Sequence, residues 1–269
     1  MRLIIFLALC FTFTSPFASG IVFTPGDPQS AILAKTLLPE WKNDRRPGGE
    51  GIILWNAFLS EKKSLSIQLV ANTHILDLSK NFNSLSKANL LSVLTLSNIY
   101  IFSHNDSRIK NLEDLKLKNH TIGAININGV CALIIKKLIA EKNANLTLVS
   151  YKTPQHGLLD FQGKHIDLFC TVGTTAQTLL NNPNVNVVSN LTKKYGYKTT
   201  QYLFSNKDIE EQEQNNIMKG IKNNINQDIT NTLKNNGIEL LLLTGKDATN
   251  YYKEQEVLFK SLYQYIEKE

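Results

Sequence analysis

Hydrophobic and polar positions divide this chain into short apolar runs separated by polar, often glycine-bearing turns. Ile21–Thr24 is an apolar run of strand length, followed by the turn residues Pro25-Gly26-Asp27-Pro28. Ala31–Leu38 then carries a helical pattern, with Gln29 or Ser30 at its start. Asn43–Gly51 reads as a polar, basic, glycine-bearing loop, and Ile52–Leu59 as a second helix. Ser66–Ala71, Leu90–Leu96 and Asn98–Phe102 read as strands. After a lead-in at Leu112–Leu115, strands at Thr121–Ile125, Leu146–Tyr151, His165–Cys170 and Val185–Val188 alternate with helices. Those helices fall at Val130–Ala140, Pro154–Gly163 and Thr174–Leu180. Alternation of this kind predicts a parallel sheet covered on both faces, and the short apolar strands suit burial on both sides. Under the right-handed crossover rule the strands ending near Ile125 and Cys170 become neighbours, which brings Cys170 beside the loop leading into Cys131.

The last third reads as mainly helical. Ile209–Lys234 places Ile217, Met218, Ile221, Ile225 and Ile229 at helical spacing, the pattern of a core-facing stripe. Gly237 suits a helix C-cap, Leu240–Leu243 a core strand, and Tyr251–Glu269 a terminal amphipathic helix.

The N-terminus adds a different signal. Met1-Arg2, the apolar run Leu3–Phe13 and the small-residue stretch Thr14–Gly20 follow the order of a cleavable signal peptide, residues 1–20, cut after Ala18, Ser19 or Gly20. The run is shorter than the roughly 20 residues a membrane-spanning helix needs. Cys10 lies inside this run and is lost with it, leaving Cys131 and Cys170 for a compartment that permits a disulfide. The formal charge of +6 becomes +5 once Arg2 is removed (28 basic against 23 acidic). The charges are interspersed, without the clustered stripe that nucleic-acid binding uses, and a mild positive field favours an anionic ligand.

Familiar enzyme signatures are missing: there is no G-x-S-x-G elbow and no H-E-x-x-H. His74, His104, His120, His156 and His165 lack metal-ligand spacing. Gly245-Lys246 lacks both the glycine five positions earlier and the Ser/Thr that a phosphate loop requires. Cys131, at a helix start, leaves a thiol nucleophile open, against the plainer readings of a core thiol or a Cys131–Cys170 disulfide.

Several segments, taken in order, resemble the extracytoplasmic receptors of tripartite tricarboxylate transporters, the Bug family. Pro25-Gly26-Asp27 with its helix is similar to that family's first binding loop, and Arg46-Pro47-Gly48-Gly49-Glu50-Gly51 to its R-P-G-x-G-G loop. Ile109–Leu115, then Ser150-Tyr151-Lys152, Leu158-Leu159-Asp160 and Gly163–Phe169, which includes Asp167, resemble the second-lobe stretches. Asn236-Gly237-Ile238-Glu239 and the helix after it resemble the closing segment.

The resemblance implies an α/β, two-lobed type II periplasmic-binding-protein-like fold with mixed sheets flanked by helices. Residues 21–102 and 206–269 would form the first lobe and 103–205 the second, joined by strands passing near Ser103 and Phe204. It also implies a non-enzymatic, cofactor-free, monomeric periplasmic receptor that passes a small carboxylated solute to membrane permease subunits and has no nucleic-acid partner. The expected binding residues are Pro25, Gly26, Asp27, Ser30, Pro47, Gly48, Gly49, Glu50, Gly51, Asn126, Asn128, Gly129, Val130, Cys131 and Asp167. Glycine turns and free helix N–H groups suit carboxylates. Asp27, Ser30, Glu50 and Thr153 depart from the family pattern, and an acidic Asp27 or Glu50 suits an amino-acid ligand better than citrate. The alternative is a receptor fold with a degenerate pocket, acting through protein contacts as a sensor or surface component.

Overall fold

Two mixed sheets divide the elements of a computed structural model that describes residues 20–266. The signal-peptide reading of residues 1–20 lies almost wholly outside the described residues. In chain order the first lobe begins with β1 (Ile21–Thr24), α1 (Pro28–Leu37), β2 (Lys42–Arg45), α2 (Ile52–Ser60), β3 (Leu65–Leu69), α3 (Val70–Ser79), α4 (Ser84–Lys87) and β4 (Asn89–Ser97). The second lobe holds β5 (Ile99–His104), β6 (His120–Ile125), α5 (Val130–Ala140), β7 (Leu146–Tyr151), α6 (Pro154–Gln162), β8 (Leu168–Val172), α7 (Gly173–Leu180), β9 (Val185–Asn190) and α8 (Leu191–Tyr195). The chain then returns as β10 (Thr199–Ser205), α9 (Glu211–Asn224), α10 (Gln227–Asn235), β11 (Glu239–Leu243) and α11 (Gly245–Leu262).

The first sheet has the order β11-β4-β10-β3-β1-β2 and the second β7-β6-β8-β5-β9. β1, β2 and β3 are mutually parallel, while β10 is antiparallel to both β3 and β4. In the second sheet β6, β7 and β8 are parallel, and β5 runs antiparallel between β8 and β9. The strands read as parallel, β6, β7, β8 and β9, do run in one direction, and the sheet is mixed, as the resemblance implies, because β5 enters directly from β4 through Asn98 with no crossover helix and runs against them. All of β5 belongs to the second sheet and all of β10 to the first. The crossings thus lie at Asn98 and in residues 196–198, while Ser103 and Phe204 sit at the far ends of those strands.

Local chemistry explains most boundaries. Pro28 occupies the first turn of α1 and Asp27 caps it, so the helix begins before Gln29. The predicted helix Ile209–Lys234 is two helices, because Ile225 leaves helical geometry and Asn226 caps α10, accepting from Ile229 N at 2.9 Å. β2 (KNDR) is an almost wholly exposed edge strand with no apolar alternation, which is why its sequence reads as loop. α3 follows β3 without a break or a side-chain cap, so no sequence signal marks its start. The predicted strand at His165 starts only at Leu168.

One apolar cluster runs from the first lobe (Trp55, Phe58, Tyr202, Phe204) through α11 (Tyr252, Phe259, Leu262) to α5 of the second (Leu133, Ile134, Leu138). Trp55 is fully buried, with ring centroids of Phe58, Phe82 and Phe204 within 5.6 Å. Of the α9–α10 stripe, Ile217 and Ile221 are buried, while Met218, Ile225 and Ile229 pack partly buried beside them. Among the described residues no helix is long and apolar enough to cross a membrane.

Candidate functional site

In open α/β sheets, ligands bind beyond the carboxyl ends of parallel strands, where helices begin. In the first lobe β1, β2 and β3 lie side by side and lead into α1, α2 and α3 at one edge. In the second, β6, β7 and β8 lead into α5, α6 and α7. The two edges meet: the position a β-carbon would take on Gly173, at the start of α7, is 2.5 Å from Gln29 Oε1 in the first turn of α1.

The first turn, Pro25 to Ser30, is held from several sides. Asp27 Oδ1 accepts from Ser30 N at 2.9 Å, while Asp27 Oδ2 is buried without a hydrogen-bond partner. Arg45 donates to the Gly26 carbonyl, and Gly26 packs on Pro47, which joins the first turn to the second. Ser30 is buried, and its hydroxyl accepts from Gln201 Nε2 at 3.3 Å, so it faces the floor of the cleft.

The second turn contains Pro47, Gly48 and Gly49, all exposed, then Glu50 and Gly51. Gly51 begins α2 at φ 97°, in the left-handed region that favours glycine. A β-carbon there would come 3.1 Å from Asn72 Cβ in the first turn of α3, so this position brings two helix N-termini together. The side chain of Glu50 lies outside the described residues. Beside this turn Arg46 pairs with Asp44 at 2.9 Å, and Arg45 donates to the Gly26 carbonyl.

Across the cleft, Asn126 takes φ 57° and its Oδ1 accepts from Asn128 N at 3.1 Å. Gly129 N donates to Asn126 O at 2.8 Å, and Asn126 N to Tyr151 O at 2.9 Å. Val130 opens α5, and the first turn of that helix has no side-chain cap. The N-termini of α2, α3 and α7 also lack side-chain caps. The first N–H groups of a helix have no partner within it and form a positive helix end. Tyr151, at the end of β7, donates to Asp160 Oδ2 at 2.8 Å; burial, and then this carboxylate, push its phenol up to about 12.

Two expectations change. Asp167 precedes β8, where it accepts from Thr121 N at 2.8 Å and Thr121 Oγ1 at 3.0 Å, at the edge of the sheet opposite the cleft. Cys131 and Cys170 are neighbours, as pairing of β6 with β8 requires, but both are free, buried thiols. Burial, and then contact with Cys131, hold the Cys170 thiol protonated. Among the described residues no three His, Cys, Asp or Glu side chains gather as metal ligands.

Three contributors are new relative to the sequence reading: Gln29, Asn72 and Gly173. The available signals were a polar residue inside the apolar pattern opening α1, and a glycine directly after an apolar strand.

No family model matches the chain, and no curated protein matches it in sequence. Solved structures match it along nearly its whole length. The R. palustris protein Rpa4515 with adipate superposes with a TM-score of 0.77 at 11% identity, covering 92% of this chain and 97% of that one. The periplasmic binding protein BugD gives 0.73 at 15% identity, covering 91% and 98%. MatC from Rhodopseudomonas palustris with bound malate gives 0.68 at 13% identity, covering 93% and 99%.

Proposed function

From the fold that this chain shares with the TctC/Bug periplasmic binding proteins, we propose that it is an extracytoplasmic solute-binding receptor. It takes a small carboxylated solute, a di- or tricarboxylate or an amino acid, between its lobes and passes it to membrane permease subunits. The signal-peptide pattern supports export to the periplasm, and the receptor acts as a monomer without catalysis. The carrying observation is the set of uncapped helix N-termini at the two facing sheet edges, with the turns Pro25–Asp27, Pro47–Gly51 and Asn126–Cys131 around them. A carboxylate is the natural partner of such N–H groups. Solutes of this class, malate and adipate, are bound in two of the matching structures. A solute bridging both lobes stabilises the closed arrangement by its extra affinity for it.

The test is a thermal-shift screen at millimolar malate, adipate, citrate, aspartate and glutamate. A solute at about 100 times its Kd adds about 2.7 kcal/mol of stability, a shift of several degrees. A flat screen across the whole set overturns the receptor reading and favours a receptor fold acting through protein contacts.

A further inference from the structure

The floor of the cleft is a buried hydrogen-bond network built on two glutamines, Gln29 and Gln201. Gln29 Nε2 donates to Ser97 Oγ at 3.1 Å and to Gln201 Oε1 at 2.8 Å. Gln201 Oε1 also accepts from Thr95 Oγ1 at 2.5 Å, and Gln201 Nε2 donates to Ser30 Oγ. Ser97 Oγ in turn donates to the Gly237 carbonyl at 3.2 Å. Gln29, Thr95, Ser97 and Gln201 are all buried. Ser97 is the last residue of β4 before the outgoing crossing, and Gln201 lies near the start of β10 just after the return. One glutamine therefore holds the first binding turn against both connections between the lobes.

The same side chain is also a first-lobe group that meets the second lobe at this corner. Gly173 has φ 55°, and a β-carbon on it would come 2.5 Å from Gln29 Oε1, with the next atom, Gln29 Cδ, at 3.5 Å. Gly237 closes the same corner, since a β-carbon on it would come 3.0 Å from Gly173 O. Contacts under 3 Å are outside van der Waals range, so only glycine at 173 allows this approach while Gln29 keeps its place.

We propose that Gln29 is the positioning residue of the cleft, and that its contact with Gly173 is the stop that sets how closely the two lobes approach. Gln29 transmits the position of the Pro25–Asp27 turn to both crossings and to the N-terminus of α7. This deepens the receptor reading, but its test needs no solute, so a flat solute screen and a failure here are separate results.

Spin labels on Asn56→Cys in α2 and Gln155→Cys in α6, both exposed helix positions, report the inter-lobe distance in the solute-free protein. Gly173→Ala is expected to reduce the population at the native distance about tenfold and to move it to longer separations. Adding Gln29→Ala removes the atom the new methyl meets and is expected to restore the native distance. Simple backbone strain at Gly173 would not respond to a change at position 29. Gln29→Ala alone is expected to broaden the distribution, and this arm decides the matter if Gly173→Ala does not fold. An unchanged distribution in Gly173→Ala, no rescue in the double variant, or an unbroadened Gln29→Ala overturns the proposal.

Discussion

His74 offers a direct test of how the first lobe is packed. It is fully buried in α3, with Nε2 3.0 Å from Tyr202 Oη. Its ring lies 4.5 Å from that of Tyr252 and stacks at 5.4 Å on Phe259. Burial lowers its pKa from 6.5 to about 3, so the folded protein holds the imidazole neutral. The sign follows from linkage. Below the unfolded pKa the unfolded chain takes up a proton that the folded protein refuses. The stabilising effect of a neutral His74 is therefore complete above pH 6.5, declines as pH falls, and is gone near pH 3. Over the whole interval the difference is of order ~5 kcal/mol, and between pH 7 and pH 5 it is about 2 kcal/mol. The variant His74→Gln removes the titration while keeping an amide that can reach Tyr202. Urea unfolding of both proteins at pH 7 and pH 5 gives the comparison: the wild type should lose about 2 kcal/mol more than the variant over that span. Equal losses in the two proteins would refute a dry, neutral histidine at this position.

Other outcomes are equally specific. Trp55→Ala should destabilise the protein by about 3–5 kcal/mol in urea unfolding, because a fully buried indole leaves a large cavity. Asn226→Ala should lower stability by about 1 kcal/mol through loss of the α10 cap, whereas Asn226→Ser should retain most of it. Thiol titration without reductant should find Cys131 and Cys170 unreactive in the native protein and both reactive in denaturant; a denatured count of zero would mean that they are bonded. Gly51→Ala should weaken the binding of whichever carboxylate raises the melting temperature, by forcing α2 and α3 apart at Asn72, and calorimetry would read the change in Kd.

The sequence was most informative where a single physical signal acted alone. Helix α5 and strand β7 fall where the apolar pattern and flanking turns put them, and β6 extends one residue beyond its predicted start. Pairing of β6 with β8 follows from crossover handedness. β2 was not legible, because an exposed edge strand has no buried face to set an alternation. β10 is buried at every position; the resemblance implied a strand near Phe204 only as a crossing, since its place in the first sheet is decided by partners more than a hundred residues away. At the site, the glycine turns could be read because glycine at a loop-to-helix junction has a backbone reason. Gln29 could not, because its role is fixed by Ser97, Gln201 and Gly173, which are remote in sequence. Asp167 was misplaced because a motif gives a position along the chain and not which end of a strand faces the cleft.

The place of β10 also bears on the order in which the molecule can be made. It lies between β3 and β4, so the first sheet has a gap in its middle until residues 199–205 arrive, after every strand of the second sheet. A chain emerging N-terminus first therefore exposes the unpaired edges of β3 and β4 for most of its synthesis, whereas β5 to β9 are already contiguous. Non-local pairing of this kind is slow to form, and open strand edges invite aggregation. The second lobe is thus expected to act as the folding nucleus on which the first closes, and a holdase that shields β3 and β4 would raise the yield of native protein. Truncation before Thr199 should leave a folded second sheet carrying an unfolded N-terminal arm, and not a smaller copy of the two-lobed fold.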